Sequence, residues 1–304
     1  MRLIYQIIYS PVINYILRNM NKLLKNIFPG IQLPPSGIIN IKLSNNETIK
    51  LKTNQTDFVA FWIYWKGLYT YEYTYIFEKI ARNIRGFVDI GANGGLYSLI
   101  AAKKSENIKI LAFDPSHAAN YFVNENIRLN NFSGKIKFFN YAMSDKNEVL
   151  DFYEVKNRKY PWLKYNLGGS SSLVNHPLLY NTVSVQACSF DIFLAENPKY
   201  NFEIDLIKID AEGAEPNIIR GMKATIEKYK PIIVCEILLD NVGGEIEKLF
   251  VELGYRFFLN RGKDLIPVKQ ILKNESDDEI YNYFLVHQSK LNMVQEFIIN
   301  AKNN

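Results

Sequence analysis

The feature that most constrains this chain is a regular alternation of strands and helices that begins at Gly86. Short apolar runs rich in β-branched residues are separated by segments with helical periodicity, a pattern typical of strands joined by right-handed crossovers. It predicts an α/β fold with a doubly wound, mostly parallel sheet of seven strands. The last two strands have no convincing helix between them, so we expect the final strand to run antiparallel. The predicted strands are 86–91, 108–113, 135–141, 205–210, 231–237, 255–260 and 280–287.

Further segments surround or interrupt this predicted core. Residues 1–36 indicate an N-terminal helical extension that ends in a Pro- and Gly-rich breaker, and residues 37–85 a hairpin and an aromatic helix packed on the core. The aromatic residues of that helix are more typical of a lid or packing helix than of a sugar platform. Residues 86–288 form the predicted Rossmann-like domain, with a polar loop insertion at about 145–200. Residues 289–304 are predicted to be a C-terminal helix or tail.

The bulk composition is that of an ordinary globular protein, with 48% hydrophobic and 22% charged residues and a net charge of +5. The mild charge, without a basic stripe interleaved with aromatic residues, argues against nucleic acid as a partner. The two cysteines, Cys188 and Cys235, lie in strand-like runs and are typical of buried thiols in a reducing compartment. We therefore expect a cytoplasmic protein, and the N-terminus leaves a peripheral contact with the inner face of the membrane open.

The N-terminal stretch LIYQIIYSPVINYIL is apolar but interrupted by polar residues. No small-residue cleavage site follows it, and it is too short and too polar to span a bilayer. A basic amphipathic helix fits the pattern better. Such helices occur packed on their own domain, in homo-oligomers and on membrane surfaces, and packing on the domain or on a second subunit is favoured here over peripheral membrane contact.

The stretch FVDIGANGGLYSL at 87–99 predicts a ligand-binding turn between a strand and a helix. Its glycines permit positive φ angles and close approach of a ligand, and the helix N-terminus offers free N–H groups. A dinucleotide site carries G-x-G-x-x-G, but the middle glycine that admits a pyrophosphate is missing here. An aspartate before the loop would repel a pyrophosphate and suits a cationic group. The candidate cofactor-binding residues of this turn are Asp89, Gly91, Ala92, Asn93 and Gly94.

A second acidic strand end follows roughly twenty residues after the glycine loop. The motif LAFDPS places Asp114 and Pro115 there, where a carboxylate can accept hydrogen bonds from ribose hydroxyls. A ribose beside a cationic amino-acid part, without a pyrophosphate, describes S-adenosyl-L-methionine. A strand–turn–helix without a further motif often has only a structural role. Because Asp114 follows it at the end of the next strand, the pattern favours a nucleoside ligand.

A series of motifs runs through about residues 37 to 260: FVDIGANGG, AFDPS, NENIRLNN, NYAMSD, GGSSSL, LIKIDAEGAEP and PIIVCEI. In this order they resemble the FkbM-type S-adenosylmethionine-dependent methyltransferases. The resemblance implies a class I methyltransferase fold and O-methylation, often of sugar or polyketide hydroxyls. It also implies that residues 89–95 hold the methionine part and Asp114 the ribose, and that the adenine is held by Ala142, Met143, Ser144 and Asp145. One departure is Asp114 itself, where such proteins often carry glutamate.

Methyl transfer to a hydroxyl requires removal of the hydroxyl proton, usually by a general base. The motif IKIDAEGAE supplies two candidates, Asp210 at the end of a buried strand and Glu212 in the turn after it. Neighbouring acids repel each other, which raises the pKa of at least one of them. Glu215 is better explained as an acid that offsets the dipole of the following helix. Such a group of acids can also hold a divalent cation, but nothing else in the sequence requires a metal.

Three further residues are candidate contacts to the substrate. Glu236 interrupts the apolar strand PIIVCEIL near its carboxyl end, where a glutamate faces a cleft or pairs with a buried basic residue. His117 has a suitable pKa for acid–base chemistry, although a lone histidine after a strand is more often a cap or a surface residue. Ser171 belongs to the run GGSSSL, which either donates hydrogen bonds to a polyhydroxyl substrate or forms a flexible loop.

Together these features predict an S-adenosyl-L-methionine-dependent O-methyltransferase. The expected acceptor is a hydroxyl of a sugar in a glycan or nucleotide-sugar precursor. Two alternatives stay open on the sequence alone. One is an NAD-dependent oxidoreductase, which would share the fold. The other is a non-catalytic module that tethers a glycan assembly to a membrane through residues 1–28.

Overall fold

The computed structural model describes residues 2–24, 26–27, 30–168, 180–237, 240–271 and 281–299. The α-helices are α1 (Arg2–Ile8), α2 (Pro11–Leu23), α3 (Phe58–Lys66), α4 (Thr74–Ala81), α5 (Leu96–Lys104), α6 (His117–Leu129), α7 (Phe190–Glu196), α8 (Glu215–Arg220), α9 (Lys223–Tyr229) and α10 (Asp240–Val251). The strands are β1 (Gly37–Lys42), β2 (Thr48–Thr53), β3 (Gly86–Ile90), β4 (Lys109–Phe113), β5 (Ile136–Phe139), β6 (Ala142–Ser144), β7 (Glu148–Val155), β8 (Tyr180–Ser189), β9 (Leu206–Ile209), β10 (Ile232–Ile237), β11 (Tyr255–Arg261), β12 (Asp264–Val268) and β13 (Tyr281–His287). Short 3-10 helices lie at Ser44–Asn46, Leu68–Thr70, Pro198–Tyr200, Gln288–Met293 and Gln295–Phe297.

The main sheet of the described residues contains eight strands in the order β12-β11-β13-β10-β9-β3-β4-β5. The strands from β10 to β5 run parallel, whereas β13 is antiparallel to both of its neighbours, β10 and β11. The expected antiparallel strand is therefore present. The predicted count of seven strands is wrong, because β12 adds an eighth by forming a hairpin with β11. Gly262, with φ of +66°, makes the tight turn of this hairpin.

Helices cover both faces of the main sheet, because successive side chains along its strands alternate between two cores. In β3, Phe87 packs in the core formed with α4, α5 and α6, whereas Val88 packs in the core formed with α7 to α10. Ile232 and Ile233 of β10 divide in the same way. Burial on both faces explains why these strands are continuous apolar runs in the sequence. The result is a mixed sheet of the Rossmann-like type.

A hairpin of β1 and β2 and two aromatic helices precede the main sheet. The single aromatic helix that the sequence predicted is divided into α3 and α4. The chain turns between them at Gly67, with φ of +98°, and at Glu72, with φ of +40°. Asp57 fixes the start of α3, since its Oδ1 accepts a hydrogen bond from the N–H of Ala60 at 2.9 Å.

The region predicted as a polar loop insertion contains a second, smaller sheet. Strands β7 and β8 pair antiparallel, and β6 runs parallel to β8. The sequence predicted only a strand at 183–187 here, because most of β7 is half-buried and Phe152 is its one buried residue. Ser171 lies outside the described residues, so its substrate contact stays a prediction.

The N-terminal segment forms two helices, α1 and α2, divided at Ser10 and Pro11. Helix α2 packs on the domain, but through its polar side. Asn14 and Arg18, one turn apart, are buried, whereas Val12 and Ile16 on the other side are exposed. None of the described helices combines the length and the apolar character needed to cross a membrane.

Candidate active site

A cavity of about 720 Å³ opens at the carboxyl ends of β3, β4, β9 and β10. Ligands of open α/β sheets bind at this edge, and the volume falls in the range of roughly 300–1,000 Å³ usual for small-molecule sites. The structure thus brings the acidic ends of β4, β9 and β10 around a common space. Of the predicted site residues, those that line it are Gly91, Asn93, Asp114, Pro115, Ala142, Met143, Asp210, Glu212 and Glu236.

The turn after β3 packs tightly against the end of β9. Gly91 has φ of +74°, and a Cβ there would lie 1.8 Å from the carbonyl oxygen of Asp210. The N–H groups of Gly91 and Ala92 donate to the carbonyl of Phe113 at 2.9 and 3.1 Å. Glycine is therefore required at this position by the neighbouring strand, while Gly91 and Asn93 still face the cavity.

Asp114 is fixed at the edge of the cavity by two backbone hydrogen bonds. Its Oδ2 accepts from the N–H of Asn93 at 2.9 Å, and its Oδ1 accepts from the N–H of Ser116 at 2.9 Å. Burial raises the pKa of Asp114, and these hydrogen bonds oppose the rise. The carboxylate is thus a preorganised acceptor, with one further lone pair on each oxygen for a hydroxyl donor.

Lys208 lies between the charges at this edge and was missed by the sequence analysis. Its buried Nζ donates to the carbonyl of Gly91 at 2.6 Å and lies 3.1 Å from Oδ2 of Asp210 and 3.7 Å from Oδ1 of Asp89. Burial alone would lower the pKa of Lys208, but the two carboxylates outweigh burial and raise the pKa above its ordinary value. A lysine inside the apolar strand LIKI was the available signal, because lysine is rarely buried without a partner.

Asp89 does not line the cavity, so the prediction that it contacts the ligand is corrected. Its side chain is fully buried, and Oδ2 accepts a hydrogen bond from the hydroxyl of Ser98 at 2.6 Å. Oδ1 has no hydrogen bond within the described structure and faces Lys208. Burial raises the pKa of Asp89, and the charge of Lys208 opposes the rise. Asp89 therefore acts on the cavity through Lys208, whose ammonium group it shares with Asp210.

Asp210 and Glu236 form a pair of carboxyl groups joined by a side-chain hydrogen bond. Burial raises the pKa of Glu236, and the negative charge of Asp210 raises it further. Burial also opposes the charge on Asp210, yet Lys208 and the hydrogen bond from Glu236 hold the pKa of Asp210 below its ordinary value. At neutral pH Glu236 is thus the protonated donor of the pair and Asp210 the anionic acceptor.

Glu212 lies in a strained turn between β9 and α8. It has φ of +54°, and the next residue, Gly213, has φ of +102°. The buried carboxylate of Glu215 closes the turn, since its Oε1 accepts from the N–H groups of Ala211 and Gly213 at 3.1 Å each. Burial, followed by repulsion from Asp210 and Glu215, raises the pKa of Glu212 to about 8. Glu215 thus has the structural role expected of it, and Glu212 lines the cavity.

The turn between α3 and α4 brings in a further acid that the sequence analysis missed. Glu72 lines the cavity, and its Oε2 accepts a hydrogen bond from the hydroxyl of Tyr97 at 2.7 Å. Burial raises the pKa of Glu72, and the charge of Asp210 raises it further. A single acid in the aromatic run YTYEYTY was the only signal, and that run does not reveal that the chain turns towards the sheet.

Four acidic side chains line the cavity, but they differ in charge: Glu72, Asp210, Glu212 and Glu236. Asp210 is anionic beside Lys208, whereas burial and repulsion by Asp210 raise the pKa values of the other three. Within the described ranges, no group of His, Cys, Asp and Glu side chains is arranged to hold a metal ion. A cleft lined by one sign of charge attracts ligands of the opposite sign.

Aromatic and amide side chains complete the wall of the cavity. Helix α3 contributes to it with one side and packs on the core with the other. The small sheet and the β11–β12 hairpin also contribute lining residues, Phe152 from the former and Asn260 and Gly262 from the latter. The aromatic residues are Phe58, Trp62, Tyr71, Phe113, Tyr141 and Phe152, and the amide residues are Asn93, Asn166, Asn260 and Asn282.

Two residues predicted to contact the ligands do not line the main cavity. The side chain of His117 is 62% exposed, and its Nδ1 lies 3.1 Å from Oε1 of Glu154, beside a second cavity of about 200 Å³. Asp145 lies 3.9 Å from Nε of Arg220 and does not line either of these cavities. Each side chain faces a charged partner, and the contacts of His117 with the substrate and of Asp145 with the adenine stay predictions.

Two residues of the glycine turn also lie behind the cavity wall. Ala92 is buried in the core next to α5. The carbonyl of Gly94 accepts a hydrogen bond from Nδ2 of Asn126 at 2.9 Å, which ties the turn to α6. Neither residue lines the cavity, so these contacts shape the turn, and contact of either residue with the cofactor stays a prediction.

The fold and the cavity define the general class of this protein, an α/β domain of the Rossmann-like type with an acidic ligand cavity. The sequence model of the methyltransferase FkbM domain matches residues 89–257, more than half of the chain. The chain belongs to the methyltransferase FkbM family. S-adenosyl-L-methionine is the cofactor of this family.

Two relatives carry the same general name. Methyltransferase 1 of Beauveria bassiana (strain ARSEF 2860) is 30% identical over 143 residues, which are 44% of this chain and 57% of that protein. Methyltransferase sdnD of Sordaria araneosa is 27% identical over 200 residues, 53% of this chain and 74% of that protein. The chain thus spans little more than half the length of the first relative. A solved methyltransferase FkbM from Methylobacillus flagellatus KT is similar with a TM-score of 0.41 and 13% identity, over 66% of this chain and 43% of that chain.

Proposed function

We propose that this chain is an S-adenosyl-L-methionine-dependent O-methyltransferase whose acceptor is a sugar hydroxyl in a glycan or nucleotide-sugar precursor. The observation that carries the proposal is the common cavity of Asp114, Asp210 and Glu212. One cavity thus holds an acceptor for ribose hydroxyls and candidate acceptors for the proton of a substrate hydroxyl. Membership of the methyltransferase FkbM family supports the reaction class.

The residues around the cavity fit the cofactor in charge and in size. With a sulfonium, an ammonium and one carboxylate group, S-adenosyl-L-methionine is a net cation, which carboxylates attract. Asp114 would hold the ribose hydroxyls, and Gly91 and Asn93 the amino-acid part. Ala142 and Met143, which are buried and line the cavity, would contact the adenine. When bound, the cofactor supplies a methyl group already activated by the positive sulfur.

The same charges disfavour the alternatives that the sequence left open. A dinucleotide would bring a pyrophosphate towards the anionic Asp210, which carries like charge. A non-catalytic module that only tethers a glycan assembly to a membrane would have no use for a buried carboxyl pair at a cavity, since such groups are costly to bury. Perturbed carboxyl groups in a cleft are instead typical of acid–base sites.

Within this site we propose that Glu212 accepts the proton of the acceptor hydroxyl. A carboxylate with a pKa of about 8 is a stronger base than an ordinary one, and a general base works best when its pKa is near the working pH. Asp210 stays anionic beside Lys208 and orients the hydroxyl by accepting its hydrogen bond before the proton moves. A bound cation would lower the pKa of Glu212, because opposite charge favours the carboxylate.

The wall of the cavity supports a sugar as the acceptor. The side chains of Asn166, Asn260 and Asn282 offer both donors and acceptors, which a polyhydroxyl ligand requires. Phe58 and Trp62 add flat apolar faces beside them, suited to the C–H groups of a sugar ring. A methyl-transfer assay distinguishes a sugar from other acceptors that combine polar and apolar groups.

A methyl-transfer assay tests the proposal. The chain is incubated with S-adenosyl-L-methionine and a panel of nucleotide sugars and glycan precursors, and mass spectrometry and NMR give the added methyl group and its position. Calorimetry with S-adenosyl-L-methionine and with NAD identifies the cofactor independently. Binding of NAD alone would overturn the assignment. Methylation confined to amines or carboxylates would overturn transfer to a hydroxyl.

A further inference from the structure

The two N-terminal helices expose an unusual amount of apolar surface. Twelve of the twenty large apolar side chains that are exposed in the described residues lie between residues 2 and 31. We call the side of α1 and α2 formed by Leu3, Ile7, Val12, Ile16, Met20 and Leu23 the N-terminal apolar surface. Within each helix these residues recur every three or four positions and share one side, and exposed apolar surface of this kind marks binding surfaces in folded proteins.

Buried polar contacts fix this orientation of α2. The guanidinium of Arg18 donates to the carbonyls of Ser36 and Ile38 at 3.1 and 2.7 Å. Oδ1 of Asn14 accepts from the N–H of Ser36 at 2.7 Å and from Arg18 at 3.2 Å. Rolling the helix to bury its apolar side would leave these groups without partners, at a cost of about 1–3 kcal/mol for each buried group left unsatisfied. The exposure is therefore built into the fold.

The charge around this surface favours one kind of partner. No acidic residue precedes Glu47, whereas Arg2 and Lys22 are exposed at the two ends of the helix pair. The ammonium group of Lys159 adds to them, 5.3 Å from the ring of Tyr5. A two-fold dimer places the same patch on both sides of the interface, so these positive borders would face each other. An anionic lipid surface instead complements both the apolar side and its basic border.

The length of the helices decides whether they can span a bilayer or only lie on its surface. Helix α2 has 13 residues, which corresponds to a length of about 20 Å, whereas a spanning helix needs roughly 20 apolar residues. Its buried stripe of Asn14 and Arg18 faces the protein along the whole contact. The helix can therefore lie in the plane of the membrane surface with its opposite side immersed.

We propose that the N-terminal apolar surface docks this protein on a bilayer that contains anionic lipid. The apolar side chains enter the boundary between headgroups and acyl chains, and Arg2 and Lys22 contact the headgroups. Helix α3 connects this surface to the cavity, because Lys22 lies 3.8 Å from the ring of Tyr64 while Trp62 lines the cavity. The docking does not depend on the methyltransferase assignment.

Vesicle flotation tests the proposal with the full chain. Vesicles of phosphatidylcholine with phosphatidylglycerol should bind the protein, and vesicles of phosphatidylcholine alone should bind it less. Val12→Asp with Ile16→Asp should lower binding about tenfold or more, because charges replace side chains that are 73% and 52% exposed and meant to enter the bilayer. The matched control is Val149→Asp with Val251→Asp, where side chains of 59% and 57% exposure are replaced elsewhere, and it should bind as the parent does.

Three results would overturn the proposal: no binding of the parent chain to anionic vesicles, equal binding by both double variants, or a dimer formed through the N-terminal apolar surface. The last is read from sedimentation equilibrium, as a parent dimer that Val12→Asp with Ile16→Asp converts to a monomer. Unfolding curves of each variant show whether the fold is kept, which the exposure of all four side chains leads us to expect. None of these measurements uses catalysis, so failure of the docking and failure of the proposed activity are separate outcomes.

Discussion

Lys208 and Asp210 form an ion pair at the carboxyl end of β9, with 3.1 Å between Nζ and Oδ2. The same ammonium group lies 3.7 Å from Asp89, whose Oδ1 has no hydrogen bond in the described part of the chain. One buried cation therefore opposes the effect of burial on two acids, one inside the sheet and one in the cavity. The cavity's electrostatics depend on a residue that no ligand is expected to touch.

We expect Lys208→Met to lower the free energy of unfolding by about 3–5 kcal/mol, because removing one partner of a buried pair leaves a charge uncompensated. Urea unfolding at neutral pH measures the change. Lys223→Met is the control, since its pair with Glu227 is exposed and should cost no more than about 1 kcal/mol. Adding Asp89→Asn to Lys208→Met should recover stability. Equal costs for the two lysine substitutions would contradict the argument.

The two glycines of the turn after β3 should respond differently to alanine. A Cβ at Gly91 would meet the carbonyl oxygen of Asp210 at 1.8 Å, and φ is +74°. We expect Gly91→Ala to destabilise the fold by at least about 2 kcal/mol, since backbone must shift in a strained conformation. Gly94 has no positive φ and nothing within 4 Å of an added Cβ, so Gly94→Ala should change stability by less than about 1 kcal/mol. Thermal unfolding of both variants measures the difference in stability, and similar melting temperatures would contradict the requirement for glycine at position 91.

Asp114→Asn should weaken binding of S-adenosyl-L-methionine about 10- to 100-fold, because hydrogen bonds to a charged group contribute about 1.5–3 kcal/mol. The amide keeps the shape of the side chain but removes the charge that its neighbours Asn93 and Ser116 orient. Isothermal calorimetry gives the dissociation constants. Asp151→Asn, on the exposed side of β7, is the control and should leave them unchanged. If both variants bind equally well, Asp114 does not hold the ligand.

The parallel strands could be predicted because burial on both faces leaves a continuous apolar run, as at Phe87 and Val88. Strand β7 could not, since Phe152 is its only buried residue and its alternation is faint. Asp89 and Asp114 look equivalent in the sequence, but Asp89 lies inside β3 opposite Lys208, whereas Asp114 follows the last residue of β4. A shift of two positions relative to the strand end thus separates a buried counter-charge from a cavity residue.

Site residues that come from distant segments of the chain could not be predicted from the sequence, for a different reason. Glu72 reaches the cavity only because the chain turns between α3 and α4, at a residue with φ of +40°. Its place depends on packing between that turn and the sheet, which no local pattern encodes. Asp210 was predictable because it follows a buried strand, and a strand end fixes the position of the next side chain.

Glu212 should control the pH dependence of the reaction. Its pKa of about 8 means that the basic form increases as the pH rises through that value, so kcat/KM should rise and then level off. Glu212→Gln should remove this rise and lower kcat about 10²- to 10⁴-fold, the usual contribution of a general base. Glu227→Gln, on the exposed side of α9, should keep both the rate and the profile. Persistence of the rise in Glu212→Gln would assign it to another group.

The same residue should make stability depend on pH in a defined direction. Burial and the neighbouring acids raise its pKa from 4.5 to about 8, so the folded chain binds a proton that the unfolded chain releases. The resulting stabilisation is complete below about pH 4.5 and is lost progressively as the pH rises to about 8. Glu212→Gln carries no such proton, so its stability relative to the parent should increase between about pH 5 and about pH 9. Urea unfolding of both proteins at several pH values measures this difference, and a constant difference would mean that Glu212 titrates as an ordinary exposed acid.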